Sequence, residues 1–221
     1  MSSISSAVVQ DIEAMCKAGN ASMAYFYFDF RDVNKQGMQD LVRSLLIQLS
    51  ARSGARCDVL SSLYFAHDKG KSQPSNRDVE ECLKKMLLLN DERPTYLIMD
   101  ALDESPNASG IPSARERVLQ LLKVLIDLRL PNLHICVTSR PEIDVRNILT
   151  PLASLRVSLH DQTGQKKDIE DYVRSVIYSD SEPIIRWKKE DKDLVILRLS
   201  ERADGMYVDH LTLVMLVQIA K

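Results

Sequence analysis

Thr95-Tyr96-Leu97-Ile98-Met99-Asp100-Ala101-Leu102-Asp103-Glu104 decides the fold. Pro94 stands immediately before it and blocks a helix from running in, while Thr95 to Asp100 is too short for a helix of its own and right for a strand. The run is apolar on consecutive positions, as in a parallel strand covered on both faces. Its C-terminal end delivers Asp100, and Asp103 and Glu104 follow one turn on. Open α/β sheets bind ligands at the carboxyl ends of their strands, so these three carboxylates are the first candidates for chemistry.

The flanking sequence repeats the alternation of helix and strand. Ile4, Val8, Ile12 and Met15 form a helical stripe over Met1 to Lys17, and Gly19-Asn20 stops it. Ala24 to Phe30, AYFYFDF, reads as an aromatic strand with Asp29 near its end. A helix is expected over Met38 to Ala51, with Leu41, Leu45, Ile47 and Leu49 toward the core, and a short one over Val59 to Phe65. Asn76 reads as the cap of a helix over Arg77 to Leu89, which carries Asp78, Glu80 and Glu81 in its first turns.

Beyond the central strand, Val118, Leu121, Leu122, Leu125 and Leu128 mark a helix over Ala114 to Leu128. Leu133 to Thr138 is a further apolar strand leading into Ser139-Arg140-Pro141, Ile143 to Leu149 a short helix, and Leu155 to Leu159 a fourth strand. Lys166 to Tyr178, Glu190 to Ala203 and Asp209 to Ala220 read as helices alone. The expectation is a parallel α/β sheet over residues 1–160 with a helical extension over 161–221.

Composition narrows the function. A net charge of -2 over 221 residues gives no basic excess for nucleic acid. The apolar run Leu211 to Ala220 is about half of the ~20 residues a membrane span needs, so no membrane partner is expected. Cys16, Cys57, Cys82 and Cys136 lack C-x-x-C spacing and read as reduced thiols of a cytoplasmic protein. His67, His134, His160 and His210 are scattered, without the spacing of a metal site.

A strand ending in aspartate and followed by an acidic pair suits a nucleoside triphosphatase. Asp100 would hold Mg²⁺, and Asp103 or Glu104 would polarise the water that attacks the γ-phosphate. At this point the sequence resembles the NACHT-type NTPases, in particular the nephrocystin-3-like group of the fungal NOD-like (STAND) proteins. The likeness runs in order through AYFYFDF, Asp32, Lys35 and Gln36, LVRSLLIQLS, YLIMDALDE, ICVTSRPE, LHDQTGQKKDIEDYV and RLSERADGM. It implies a P-loop NTPase sheet binding Mg²⁺ with ATP or GTP. Asp100 matches the Mg²⁺-linked Walker B aspartate, Asp103 and Glu104 the acidic pair after it, and Arg140 the sensor arginine.

The phosphate side is different. No G-x-x-x-x-G-K-[ST] occurs in the chain, although the likeness places that loop directly before SSISSAVVQDI. So aligned, Ser2 takes the Mg²⁺-ligating hydroxyl position and Met1 replaces the lysine. The backbone cradle that binds phosphates is thereby absent, and weak nucleotide affinity is expected. The strand preceding the loop is also absent; the likeness puts it between the LHICVT and LRVSL strands, so a gap in the sheet and marginal stability are expected unless a strand is supplied.

Three functions remain open on the residues. The chain is a switch module that signals by nucleotide-dependent self-association and is catalytically silent in this form, or an ATP or GTP hydrolase whose loop lies upstream, or a non-enzymatic decoy that binds full-length relatives.

Overall fold

The computed structural model describes residues 3–89, 93–107 and 112–158, then Arg174, Tyr178, Lys189, 192–196 and 213–218. Three parallel strands form the centre: β1 (Ser22–Tyr27), β2 (Thr95–Asp100) and β3 (Leu133–Ser139). Tyr27 pairs with Asp100 and Met99 with Val137, so all three strands finish at the same edge. The helices are α1 (Ser3–Lys17), α2 (Met38–Ser50), α3 (Gly54–Ala66), α4 (Asn76–Leu88), α5 (Ala114–Asp127) and α6 (Ile143–Leu149). This is an α/β fold with a parallel sheet and flanking helices, consistent with a P-loop NTPase.

Both sheet faces are covered, which is why the strands read as continuous apolar runs. Met23, Ile98 and Cys136 form one cluster with Val9 of α1, and Val8, Ile12, Tyr25 and Tyr96 pack around it. The alternate residues Ala24, Phe26, Leu97, Met99, Ile135 and Val137 are equally buried. At the β1 edge, Gln48 of α2 accepts from the Tyr25 N–H (3.0 Å) and donates to the Tyr25 carbonyl (2.7 Å). One amide side chain thus satisfies the backbone groups that an open edge leaves exposed.

Several boundaries differ from the sequence reading. β1 stops at Tyr27 and not at Phe30 because the Phe28 N–H makes a last bond to the Asp100 carbonyl (3.0 Å). The chain then turns at Asp29, whose carboxylate accepts from the Arg31 N–H (2.9 Å), as aspartate does in turns. The cap of α4 is Ser75, one residue before Asn76, in a reciprocal capping box with Asp78. Ile47 is 64% exposed, because the buried set Leu41, Val42, Leu45, Leu46 and Leu49 occupies the other side of α2. α3 is longer than expected; its one buried residue is Arg56, so no apolar stripe announces it.

The largest correction lies near the C-terminus. In place of the helix expected over Asp209 to Ala220, Leu213–Gln218 forms a strand, β5. An uninterrupted apolar run has no polar stripe to fix a helical period and equally suits a covered strand. The sheet order is β1-β2-β3-β5-β4, with β4 at Leu155–Ser158. The gap expected between β3 and β4 is therefore occupied by the chain itself. Met1–Val157 and Val214–Lys221 form one compact unit, and Ser158–Leu213 a second. The helices expected over Lys166 to Tyr178 and Glu190 to Ala203 lie largely outside the described residues.

Candidate functional site

The parallel strands aim their C-terminal ends at one place. Asp100 closes β2 with only 3% exposure. The Thr138 hydroxyl, from the neighbouring β3, donates to Asp100 Oδ1 (2.5 Å) and accepts from the Ala101 N–H (3.0 Å). Because its oxygen is engaged by a donor, its proton is committed to the carboxylate, and the Asp100 side chain is fixed in orientation. Two neighbours register the charge. Burial, and then Asp100, pushes the Cys136 thiol up to about 11. Burial, followed by Tyr25 and Asp100, raises the Tyr27 phenol.

After Asp100 the backbone turns sharply. Ala101 takes the left-handed conformation (φ 57°, ψ 47°) and opens a 3-10 turn over Leu102–Glu104. Leu102 is fully buried and anchors that turn in the core. The Asp103 carboxylate accepts from the Arg140 N–H (2.9 Å) and pairs with its guanidinium Nε (3.2 Å). Glu104 Oε2 accepts from the Phe30 N–H (3.2 Å), tying the turn to the loop after β1.

Arg115, in the first turn of α5, braces the same turn from beneath. Its Nε donates to the Ser105 carbonyl (2.9 Å) and its Nη2 to the Asp103 carbonyl (2.5 Å), while Nη1 faces the Asp144 carboxylate of α6 (3.3 Å). The Ser105 hydroxyl donates to the Gln36 carbonyl (2.7 Å), and Gln36 Nε2 to the Phe30 carbonyl (2.6 Å). The acidic turn is thus tied to α5 through Arg115, to the residue after β3 through Arg140, and to the loop after β1 through Phe30 and Gln36.

Of the residues expected at the site, Asp100, Asp103, Glu104 and Arg140 come together at the carboxyl ends of β2 and β3. Ser2 lies outside the described residues. Asp29 pairs with Arg31 in the loop after β1 (2.9 Å), and this partner holds its carboxyl at about 2. Sequence reasoning missed Thr138 and Arg115. Thr138 left a signal as the hydroxyl that interrupts an apolar run; Arg115 left one as a cation in the first turn of a helix, where the dipole disfavours positive charge.

Among the described residues no group of three or more His, Cys, Asp or Glu side chains gathers as a metal cage. Mg²⁺ in nucleotide sites needs none: it takes one or two carboxylates and completes its shell with water and phosphate oxygens. The oxygens of Asp100 and Thr138 are hard donors of the type such an ion takes.

Strands β1, β2 and β3, the carboxylate at the end of β2 and the arginine after β3 all lie within a matched family: the family described as Nephrocystin 3, N-terminal covers residues 2–140. The chain belongs to this family. Its matched residues are a NACHT-like NTPase region, and the acidic turn and Arg140 sit inside it. No curated protein and no solved structure matches the chain. Among the described residues no helix is long and apolar enough to cross a membrane.

Proposed function

We propose that this nephrocystin 3 N-terminal domain is a nucleotide-dependent switch of the STAND type, acting through self-association or through binding to full-length NACHT relatives. The observation that carries the reading is the Asp103–Arg140 pair (3.2 Å) beside Asp100 at the ends of adjacent parallel strands. An acidic turn and a cation meet there, where α/β sheets take ligands. Asp100 is the residue to hold Mg²⁺, Asp103 and Glu104 the carboxylates to orient water, and Arg140 the cation to meet the γ-phosphate. A bound Mg²⁺-nucleotide supplies the phosphate charge that competes with Asp103 for that guanidinium.

Residues 1–221 contain no G-x-x-x-x-G-K-[ST], so the phosphates lack the nest of backbone N–H groups that dominates their binding. On this reading residues 1–221 are catalytically silent. Calorimetry of residues 1–221 with Mg-ATP and Mg-GTP is expected to show binding no tighter than ~1 mM, about -4 kcal/mol. Micromolar affinity would overturn the silent reading. The switch reading further requires residues 1–221 to associate with themselves or with a full-length relative. Sedimentation and pull-down that detect neither would count against it.

The fixed Asp100 carboxylate favours a second reading, an ATP or GTP hydrolase whose phosphate loop is supplied by residues outside 1–221. It predicts phosphate release by a chain that carries the loop, abolished by Asp100→Asn. Loss of release with retained folding supports it, and unchanged release excludes Asp100 from the chemistry.

A further inference from the structure

We propose that the two adjacent carboxylates of the acidic turn have different tasks, and that Asp103 is the positioning residue that aims Arg140 at a phosphate, a role that rests on the nucleotide reading above only for the identity of the ligand. Asp103 gives both oxygens to one residue: Oδ1 accepts from the Arg140 N–H (2.9 Å) and Oδ2 meets its Nε (3.2 Å). With a side chain only 9% exposed, it has little surface left for water. Glu104 is held differently, by one oxygen that accepts from the Phe30 N–H (3.2 Å). Of the pair, Glu104 is therefore the carboxylate available to water, and Asp103 the one committed to Arg140.

The surroundings leave the Arg140 fork as the part to be aimed. The Arg140 carbonyl accepts from the Glu142 N–H (2.7 Å) and from the Ser139 hydroxyl (2.8 Å), so its main chain is held on both sides of the Cα. Asp103 cannot follow the side chain either, because Arg115 holds its carbonyl (2.5 Å) and Leu102 beside it is fully buried. A guanidinium carries five donors in a planar fork. Asp103 pairs at Nε, the donor nearest the stem, and the Nη1–Nη2 edge, which matches two phosphate oxygens, lies beyond that contact. The hold is also weak enough to yield: with the Arg140 side chain 42% exposed, the pair is worth a factor of about 5 or less in an equilibrium. Asp103 thus sets where the fork starts from without occupying the end that binds.

The test is nuclear magnetic resonance of residues 1–221 without nucleotide, so its outcome is separate from the calorimetry and association that decide the switch reading. On the wild-type chain the Arg140 Nε–H should exchange with water roughly 3- to 5-fold more slowly than that of the exposed Arg43 of α2. Asp103→Asn keeps a carbonyl oxygen for the Arg140 N–H but sets an amide donor against Nε. It should speed Nε–H exchange by about the same factor while the Arg140 main-chain N–H stays protected. The turn is expected to hold in this variant, since Arg115 still binds the carbonyl of residue 103. Glu104→Gln should change neither signal. An Arg140 Nε–H that exchanges as fast as that of Arg43 would overturn the proposal, and this comparison decides alone if Asp103→Asn unfolds. So would a folded Asp103→Asn chain whose Nε–H exchange is unchanged, or which loses main-chain and Nε–H protection together, or an equal effect from Glu104→Gln.

Discussion

Replacing Arg115 by methionine isolates what holds the acidic turn in place. The substitution keeps an apolar stem of similar length and removes the guanidinium, so little packing is lost. Arg115 is 8% exposed and donates to two carbonyls, those of Ser105 (2.9 Å) and Asp103 (2.5 Å). Hydrogen bonds to a charged partner contribute ~1.5 to 3 kcal/mol each, so the two carbonyls account for about 3 to 6 kcal/mol. The contact with Asp144 is longer (3.3 Å), and that carboxylate is 26% exposed on its side chain, so it adds at most ~1 kcal/mol. Breaking one side of a buried charged network costs a similar ~3 to 5 kcal/mol. Against a domain stability of ~5 to 15 kcal/mol, Arg115→Met should move the urea midpoint by about a fifth or more at unchanged slope. Arg115→Lys retains the charge but not the planar fork, and should recover less than half of the loss. If Arg115→Met unfolds within ~1 kcal/mol of wild type, the guanidinium is not what braces the turn.

Four further outcomes follow from the same structure. Asp29, held at about 2 by Arg31, is depressed below the ~3.9 of an unfolded chain, so its contribution is present above that value and lost as pH falls toward 2; NMR titration should show this, and Arg31→Ala should return the carboxyl toward ~3.9. Thiol labelling should reach the exposed Cys57 first and the buried Cys82 and Cys136 only on opening. With Cys136 raised to about 11 in the folded chain, its contribution is intact below the unfolded thiol value of ~8.5 and is lost as pH climbs from there toward 11, which Cys136→Ala should flatten in alkaline unfolding curves. Ala101→Gly relieves a left-handed alanine, a strain of ~1 to 2 kcal/mol, at an entropic cost of ~0.5 to 1 kcal/mol, so thermal unfolding should show a neutral or slightly stabilised variant.

The centre of the sheet was legible because both of its faces are covered. A strand buried on two sides has no room for polar residues, and TYLIMD and LHICVT show this in their composition alone. The acidic turn was legible for the opposite reason, since carboxylates directly after an apolar run stand out. What composition hides is partnership across the chain. Nothing local to Arg115 says that its donors end on Asp103 and Ser105, and nothing in ICVTSR says that Thr138 reaches Asp100, because both pairings exist only once β2, β3 and α5 are side by side. β5 was misread on the same principle. Helix and strand assignments rest on the contrast between a wet side and a dry one, and LVMLVQ offers no contrast.

The distribution of restraints at the carboxyl ends of β2 and β3 indicates which part is held and which is free to move. Ala101 carries strain, yet the residues after it leave the turn little freedom: Leu102 is fully buried, the Asp103 carbonyl is held by Arg115, and Glu104 is tied to the Phe30 N–H. The Asp103 carboxylate also accepts from the Arg140 main chain, a bond that survives any rotation of the Arg140 side chain. Its side chain is 9% exposed, whereas that of Arg140 is 42% exposed and shares only the Nε contact with Asp103. The single Nε contact of a guanidinium this exposed contributes ~1 kcal/mol or less, while the braced turn would cost several times that to displace. The acidic turn is therefore the fixed half of this end of the sheet and the Arg140 guanidinium the movable half, so on the proposed function a phosphate would be read by where that one side chain points.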